Sequence, residues 1–200
     1  NFGTSDDLPL SIGEGGIGIG NQREQNTGAI IPRNSPHLWN LGYPGVNRMF
    51  WDGRVEFFPG EKRYQTPEPA LNTSTPRAKE IVDQLTGALS AQALFPLTAP
   101  EEMRGQIGSN ELADATSNLE VWARIMERIL SSSKKIDEVT DLEMFLTAFP
   151  NTKIGNFNIG HVGNAIAAFL SNEFNVVDTP FDYYLHGNNN ALTLQEKKGL

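Results

Sequence analysis

Helix-start signals recur through the second part of the sequence and constrain its fold more than any other feature. Thr75 stands directly before Pro76, a typical N-cap and first-turn pair. Further along, a serine or threonine is followed three residues later by glutamate, which is the pattern of a capping box. These boxes begin at Ser117, Thr140 and Thr193. The sequence therefore predicts a series of helices over residues 76–200.

Apolar side chains follow these signals at helical spacing. Ile81, Leu85 and Leu89 are four residues apart and predict one continuous helical face. Asn158 is a predicted N-cap, and Pro180–Leu185 is a predicted short helical turn. The remaining stripes are Leu119, Trp122, Ile125, Met126 and Ile129; Leu142, Phe145, Leu146 and Phe149, ended by Pro150; and Ile159, Val162, Ile166, Phe169 and Leu170.

Residues 1–75 are rich in glycine, proline and asparagine and lack helical periodicity. A long irregular segment of this kind is usually a functional or binding region that packs on something else. No stretch of the chain shows a convincing strand alternation. We therefore predict a mainly α fold with a long irregular N-terminal region over residues 1–75, a helical part over residues 76–200, and little or no sheet.

Charge and composition exclude several functions. The formal net charge of −8 argues against nucleic acid as a partner, because phosphate binding needs a basic face. No apolar run reaches the length of roughly 18 residues that a membrane span requires. The absence of cysteine excludes disulfides, zinc–thiolate sites, cysteine nucleophiles and covalently attached haem within these residues.

The two ends of the sequence suggest a piece of a longer protein. The first residue is Asn1 rather than methionine, and the helix predicted to begin at Thr193 meets the end of the sequence at Leu200. A helix this short is marginal on its own. We therefore expect the natural chain to extend beyond these residues.

Several segments carry polar or aromatic residues that could serve a site. Gly13–Gly18 matches the dinucleotide pattern G-x-G-x-x-G, but no strand precedes it and no helix follows, so we interpret it as a loop and Glu14 as a solvated acid. Trp51 could be a core residue or a stacking and redox aromatic. Glu101 and Glu102 follow Pro100 and suit the first turn of a helix as well as they suit catalysis.

The three histidines show no pattern typical of metal or haem ligands. His37, His161 and His186 are far apart, and none forms a helical metal-binding pair. We interpret His161 as structural because it stands early in an amphipathic helix. Asp178 and Asp182 flank Pro180 and are predicted to cap a helix.

Several segments together resemble the bacterial di-haem cytochrome c peroxidases and their MauG-like relatives. They occur in the family's order and comprise Arg33–Pro36, Phe50–Arg54, Gln92, Pro100–Met103, Ala165–Phe169, Thr179–Leu185, Ala191–Thr193 and Glu196–Leu200. The resemblance implies cytochrome c-like helical domain portions, with this chain between two C-x-x-C-H haem motifs. Residues 1–75 would belong to the first haem domain and residues 76–200 would lead into the second. It also implies a periplasmic location.

The resemblance also implies roles for single residues. Trp51 would relay electrons between two haems. Glu102 would be the distal acid of the peroxidatic haem, with Gln92 as its neighbouring amide and Pro96 as the pocket proline. Asn34 would ligate calcium. Glu14 stands where the best-known members carry a distal histidine, so the peroxidatic haem would be constitutively open.

The function implied by the resemblance is reduction of hydrogen peroxide. Electrons would come from a small cytochrome or cupredoxin, and two haem c groups would be attached outside this chain. The resemblance leaves a homodimer open. Two alternatives also stay open: a MauG-like oxidase acting on another substrate, and a haem-free structural or binding module of the same fold.

Overall fold

The structure of the protein, a computed structural model, consists of helices and a few short strands. It describes residues 37–49, 53–71, 75–105, 107–108, 110–132, 135–136 and 138–200. The helices are α1 (Pro76–Gln84), α2 (Ala88–Gln92), α3 (Asn118–Ser131), α4 (Asp141–Ala148), α5 (Ile159–Glu173), α6 (Pro180–Leu185) and α7 (Leu194–Lys198). The strands are β1 (Arg48–Met49), β2 (Val55–Phe58), β3 (Arg63–Gln65), β4 (Lys135–Ile136) and β5 (Val139–Thr140). Short 3-10 turns span Pro69–Leu71 and Ile154–Asn156, and a π-helical turn spans Pro100–Arg104.

The predicted helix caps are mostly confirmed, because their hydrogen bonds are local. The Thr75 hydroxyl accepts from the Ala78 N–H at 3.3 Å. At the start of α4, the Thr140 hydroxyl accepts from the Glu143 N–H at 3.3 Å, and the Glu143 carboxylate accepts from the Thr140 N–H at 2.8 Å. The boxes at Thr193 and Asn158 and the turn at Pro180–Leu185 also form.

The capping box predicted at Ser117 is only half correct. The Ser117 hydroxyl accepts from the Glu120 N–H at 3.2 Å, as expected. The Glu120 carboxylate instead accepts from the N–H of Thr116 at 2.7 Å and from its hydroxyl at 2.6 Å. These hydrogen bonds from Thr116, together with the guanidinium of Arg124, hold the pKa of Glu120 at about 2.

The continuous helix predicted across Ile81, Leu85 and Leu89 is wrong. Helix α1 ends at Gln84, Leu85 is extended, and α2 begins at Ala88. The Thr86 N–H donates to side-chain oxygens of Asn164 and Ser90 and the Gly87 N–H donates to Ser90, so the i to i−4 ladder is interrupted. The three apolar residues are nevertheless all buried in one core, and they share it without sharing a helix.

The mainly α fold is confirmed, but a small sheet is present among the described residues. Strands β1, β2 and β3 form an antiparallel sheet in chain order, with Met49 opposite Val55 and Phe57 opposite Tyr64. The strands have two to four residues each, too few to show a clear alternation in the sequence. A second antiparallel pair, β4 and β5, leads directly into α4. The assignment of residues 1–75 and 76–200 to two haem domains stays a prediction.

The core joins the three-stranded sheet to the helices that follow it. Met49 and Val55 of the sheet are almost fully buried, as are Leu94 and Trp122. The Tyr64 hydroxyl donates to the Leu85 carbonyl at 3.0 Å and so ties β3 to the end of α1. None of the described helices has the length and apolar character needed to cross a membrane.

Candidate functional site

Three of the residues with predicted roles lie in one continuous part of the described structure. Gln92 is the last residue of α2, Pro96 lies in the turn that follows, and Glu102 lies in the π-helical turn Pro100–Arg104. The other three, Glu14, Asn34 and Trp51, lie outside the described residues. Their roles stay predictions.

The side-chain oxygen of Gln92 is buried without a hydrogen-bond partner among the described residues. The four residues before it, from Ala88 to Ala91, are all buried. A buried polar atom left unpaired costs about 1–3 kcal/mol. Native proteins pair the great majority of such atoms, so an exception needs an explanation, and a ligand is one.

The turn after α2 links Gln92 to the segment that carries Glu102. The Phe95 N–H donates to the Gln92 carbonyl at 3.1 Å. The Pro96 carbonyl in turn accepts from the Met103 N–H at 3.1 Å. Pro96 itself is half-buried. Backbone hydrogen bonds therefore hold the positions of Gln92, Pro96 and the π-helical turn relative to one another.

The π-helical turn differs from the ordinary first helical turn predicted around Glu101 and Glu102. The Arg104 N–H donates to the Ala99 carbonyl and the Gly105 N–H donates to the Pro100 carbonyl, each at 3.2 Å. These are bonds to the fifth preceding residue, the signature of π geometry. Such turns are rare and frequently occur at functional sites.

Arg104 fastens the π-helical turn to the loop that precedes α3. Its guanidinium donates to the carbonyls of Ala113 and Ala115. The side-chain amide of Asn110 donates to the Arg104 carbonyl at 3.0 Å. Arg104 is partly buried, and these bonds prevent the turn from relaxing into solvent.

Glu68 is a buried carboxylate that no sequence motif predicted. It is 6% exposed and accepts from the Ala70 N–H at 2.9 Å, from the Thr98 hydroxyl at 3.2 Å, and from the Asn118 side-chain amide at 3.0 and 2.9 Å. The network joins the 3-10 turn, the segment next to Pro96 and the start of α3. The two side-chain partners of Glu68, Thr98 and Asn118, are 30 and 50 residues away in sequence, so no local pattern could have identified the network.

The family model described as di-haem cytochrome c peroxidase matches residues 1–190. The chain belongs to this family. Membership places the protein among haem-dependent, peroxidase-type oxidoreductases. Comparison with curated proteins gives no significant match.

One orphaned polar atom among the described residues of this di-haem cytochrome c peroxidase family member is compatible with a cofactor site. That atom is the side-chain oxygen of Gln92, and the apolar residues Leu94 and Leu97, which follow it in sequence, are buried. A few placed polar groups among apolar ones are typical of a cofactor site. Because the sequence contains no cysteine, the thioether bonds of haem c would have to come from cysteines outside these residues.

His161 of this family member is a buried side chain packed between aromatic rings. His161 is 1% exposed, and the rings of Phe149 and Phe157 meet it edge-on at 4.9 and 5.1 Å. Its Nδ1 lies 3.2 Å from the Asn158 N–H, and its Nε2 has no partner among the described residues. Burial lowers the pKa of His161 below its ordinary value.

Asp182 and His186 have local hydrogen-bond partners. The Asp182 carboxylate accepts from the Thr179 N–H at 2.9 Å, which confirms its capping role. The His186 ring nitrogen lies 2.8 Å from the Asp182 carbonyl. Within the described ranges, no three histidine, aspartate or glutamate side chains come together as a metal site.

Proposed function

We propose that the protein containing this chain reduces hydrogen peroxide with electrons from a small redox protein. In this proposal the chain supplies the distal pocket of the peroxidatic haem, with Gln92, Pro96 and Glu102 lining it. The single observation that carries the proposal is the buried, unpaired side-chain oxygen of Gln92. Family membership supports peroxidase-type chemistry, and the unpaired Gln92 oxygen supports the location of the pocket at the end of α2.

The chain's own contribution is to bind peroxide and move its protons. When bound, haem iron would supply the electrons and the Lewis acidity that cleave the peroxide O–O bond. Overall, two electrons and two protons convert hydrogen peroxide to two molecules of water. One peroxide oxygen must lose a proton while the other gains one, and Glu102 is the proposed carrier of that proton. The unpaired oxygen of Gln92 would accept a hydrogen bond from peroxide and orient it.

Three further residue roles and a cellular location belong to the proposal and rest on the resemblance. Trp51 would carry electrons between the two haems, Asn34 would ligate calcium, and the protein would be periplasmic. Glu14 would leave the peroxidatic iron without a histidine on its distal side. The oxidised protein should then show a high-spin signal from that haem, and a bis-histidine low-spin spectrum would contradict this role of Glu14.

The proposed function is tested with Glu102→Gln in the haem-loaded protein. Loss of a general acid–base group should lower the rate of peroxide reduction by about 10²–10⁴-fold, with haem content unchanged. Glu101→Gln is the matched control, because it removes a carboxylate from the same turn and should keep the rate. The assay follows oxidation of a reduced small cytochrome by hydrogen peroxide.

Three results would count against the proposal. Normal turnover in Glu102→Gln removes Glu102 from the mechanism. Slow peroxide reduction by the unaltered protein, together with oxidation of an organic or protein substrate, favours a MauG-like oxidase. Absence of haem from the purified full-length protein favours a structural or binding module.

A further inference from the structure

Helix α2 is too short to hold Gln92 in place by its own stability. It has five residues, and its N-cap, Gly87, has no side chain to cap it. A helix of this length is not stable in isolation, because nucleation costs more than one or two hydrogen bonds return. Its position must therefore come from tertiary contacts.

Asn164 of α5 supplies three of the hydrogen bonds that hold the start of α2. Its side-chain N–H donates to the Gln84 carbonyl at 2.8 Å. Its side-chain oxygen accepts from the Thr86 N–H at 3.1 Å and from the Thr86 hydroxyl at 3.0 Å. Asn164 is 8% exposed. One buried amide thus binds both sides of the break between α1 and α2.

Ser90 completes the connection from within α2. Its hydroxyl accepts from the N–H groups of Thr86 and Gly87 at 3.2 and 3.1 Å and donates to the Gly87 carbonyl at 2.8 Å. The N–H groups of Thr86 and Gly87 in the break are therefore hydrogen-bonded by side chains. Its geometry, and the direction in which α2 leaves it, follow from Asn164 and Ser90 together.

Gly163 allows the backbones of α5 and α2 to touch. A Cβ atom at this position would lie 2.5 Å from the Ser90 carbonyl oxygen and 3.3 Å from the Leu94 side chain. The first distance is too short for any side chain, and its neighbour is backbone that cannot rotate away. The Ser90 carbonyl is two residues before Gln92, so the α5 backbone sets the position of α2 next to the amide.

We propose that Gly163 and Asn164 are positioning residues for Gln92. This inference rests on the proposed role of Gln92 in the peroxide pocket. Helix α5 holds α2 from one side and thereby fixes where the Gln92 amide meets its ligand. Misplacement of a binding group by about 1 Å can lower a rate by about 100-fold. A small shift of α2 therefore changes reactivity without unfolding the protein.

The test uses four variants of the haem-loaded protein. Asn164→Asp keeps the side-chain oxygen and loses the donor to Gln84, Gly163→Ala pushes α5 from α2, and Gln92→Ala removes the positioned amide. Gly155→Ala is the matched control for Gly163→Ala, because a Cβ at Gly155 meets nothing within 4 Å. The readouts are the second-order rate with peroxide, the association rate of cyanide, and hydrogen exchange of the α2 amides.

The inference predicts a specific pattern across these variants. Asn164→Asp and Gly163→Ala should each slow the peroxide and cyanide reactions by at least about tenfold and accelerate exchange in α2, while Gly155→Ala matches the unaltered protein. In a Gln92→Ala background, Asn164→Asp should add little to the loss of rate, because the group that it positions is gone.

The outcomes separate this inference from the proposed function. If Gln92→Ala slows both reactions but Asn164→Asp and Gly163→Ala do not, the positioning role is wrong and the proposed function stands. If Asn164→Asp slows the reactions equally with and without Gln92, α5 acts only as a structural helix and the inference is overturned. If Gln92→Ala has no effect, the proposed role of Gln92 fails, and the inference fails with it.

Discussion

The side-chain amide of Asn118 donates to both carboxylate oxygens of Glu68, at 3.0 and 2.9 Å, across 50 residues of sequence. The carboxylate is buried, and its other donors are the Thr98 hydroxyl and the Ala70 N–H. All of these donors are neutral. The buried oxygens of Glu68 are therefore satisfied by oriented dipoles, and each lost donor leaves a buried oxygen without a partner.

Replacement of Asn118 by alanine should therefore destabilise the protein. We expect the free energy of unfolding to fall by about 1–3 kcal/mol, the usual cost of an unsatisfied buried group. Denaturant unfolding of the haem-loaded protein measures it. Asn172→Ala is the matched control, since Asn172 donates to the carboxylate of Glu173 at an exposed site. Equal effects of the two substitutions would contradict a special role for the buried pair.

Arg104→Lys should loosen the π-helical turn. Arg104 binds the carbonyls of Ala113 and Ala115 through Nη2, and a lysine side chain is one bond too short to bring its ammonium nitrogen to the same position. We expect faster hydrogen exchange at residues 103–105, followed by mass spectrometry. Arg63→Lys is the control, because Arg63 pairs with Glu61 on the surface. Unchanged exchange in Arg104→Lys would show that the turn is held by its backbone bonds alone.

Tyr64→Phe should weaken the attachment of the sheet to α1. The substitution removes the bond from the Tyr64 hydroxyl to the Leu85 carbonyl while keeping the ring and its stacking on Phe57 at 4.7 Å. We expect a loss of about 0.5–1.5 kcal/mol in the free energy of unfolding. Burial raises the pKa of Tyr64, so the hydroxyl stays protonated. Tyr183→Phe, at an exposed site, should leave stability unchanged, and a matching loss there would argue against this bond.

His161 should make stability depend on pH. Burial lowers its pKa below the ordinary value of 6.5, so the unfolded chain binds a proton that the folded protein does not. The contribution is fully present above pH 6.5, and stability should fall as the pH drops below that value. The slope can reach about 1.4 kcal/mol per pH unit, which corresponds to one proton.

The measurement compares unfolding between pH 5 and 7 in His161→Gln and in His186→Gln. The first should reduce the slope, and His186→Gln is the control for loss of a histidine at an exposed position. Asp182 and Glu196 do not interfere in this range, since hydrogen bonds from Thr179 and Thr193 lower their pKa values. A slope that survives His161→Gln would assign the pH dependence to another group.

Local hydrogen bonds explain which features the sequence predicted well. The caps at Thr140, Asn158 and Thr193 each join groups no more than three residues apart. A residue type and a short spacing therefore specify them. At Ser117 the same pattern was half wrong, because Thr116 offered the Glu120 carboxylate two donors instead of one.

The sheet and the break between α1 and α2 could not be predicted from local patterns. Strands of two to four residues carry almost no periodicity, and they exist because Met49 and Val55 are buried against the helices. The break at Leu85 depends on Asn164, which is 78 residues from Thr86 in sequence. Nothing near Leu85 indicates that a side chain will arrive there.

The features of the candidate site likewise divide into those that the sequence determined and those that only the packing of the chain decided. The sequence by itself determined the family, through ordered short motifs such as Pro100–Met103, and the absence of cysteine that puts haem attachment elsewhere. Only the tertiary structure decided that the Gln92 oxygen is buried and unpaired, and that Gly163 lets α5 contact α2 beside it. The physical reason is range: a motif is a local arrangement of residue types, whereas burial and close approach arise when segments far apart in the chain pack together.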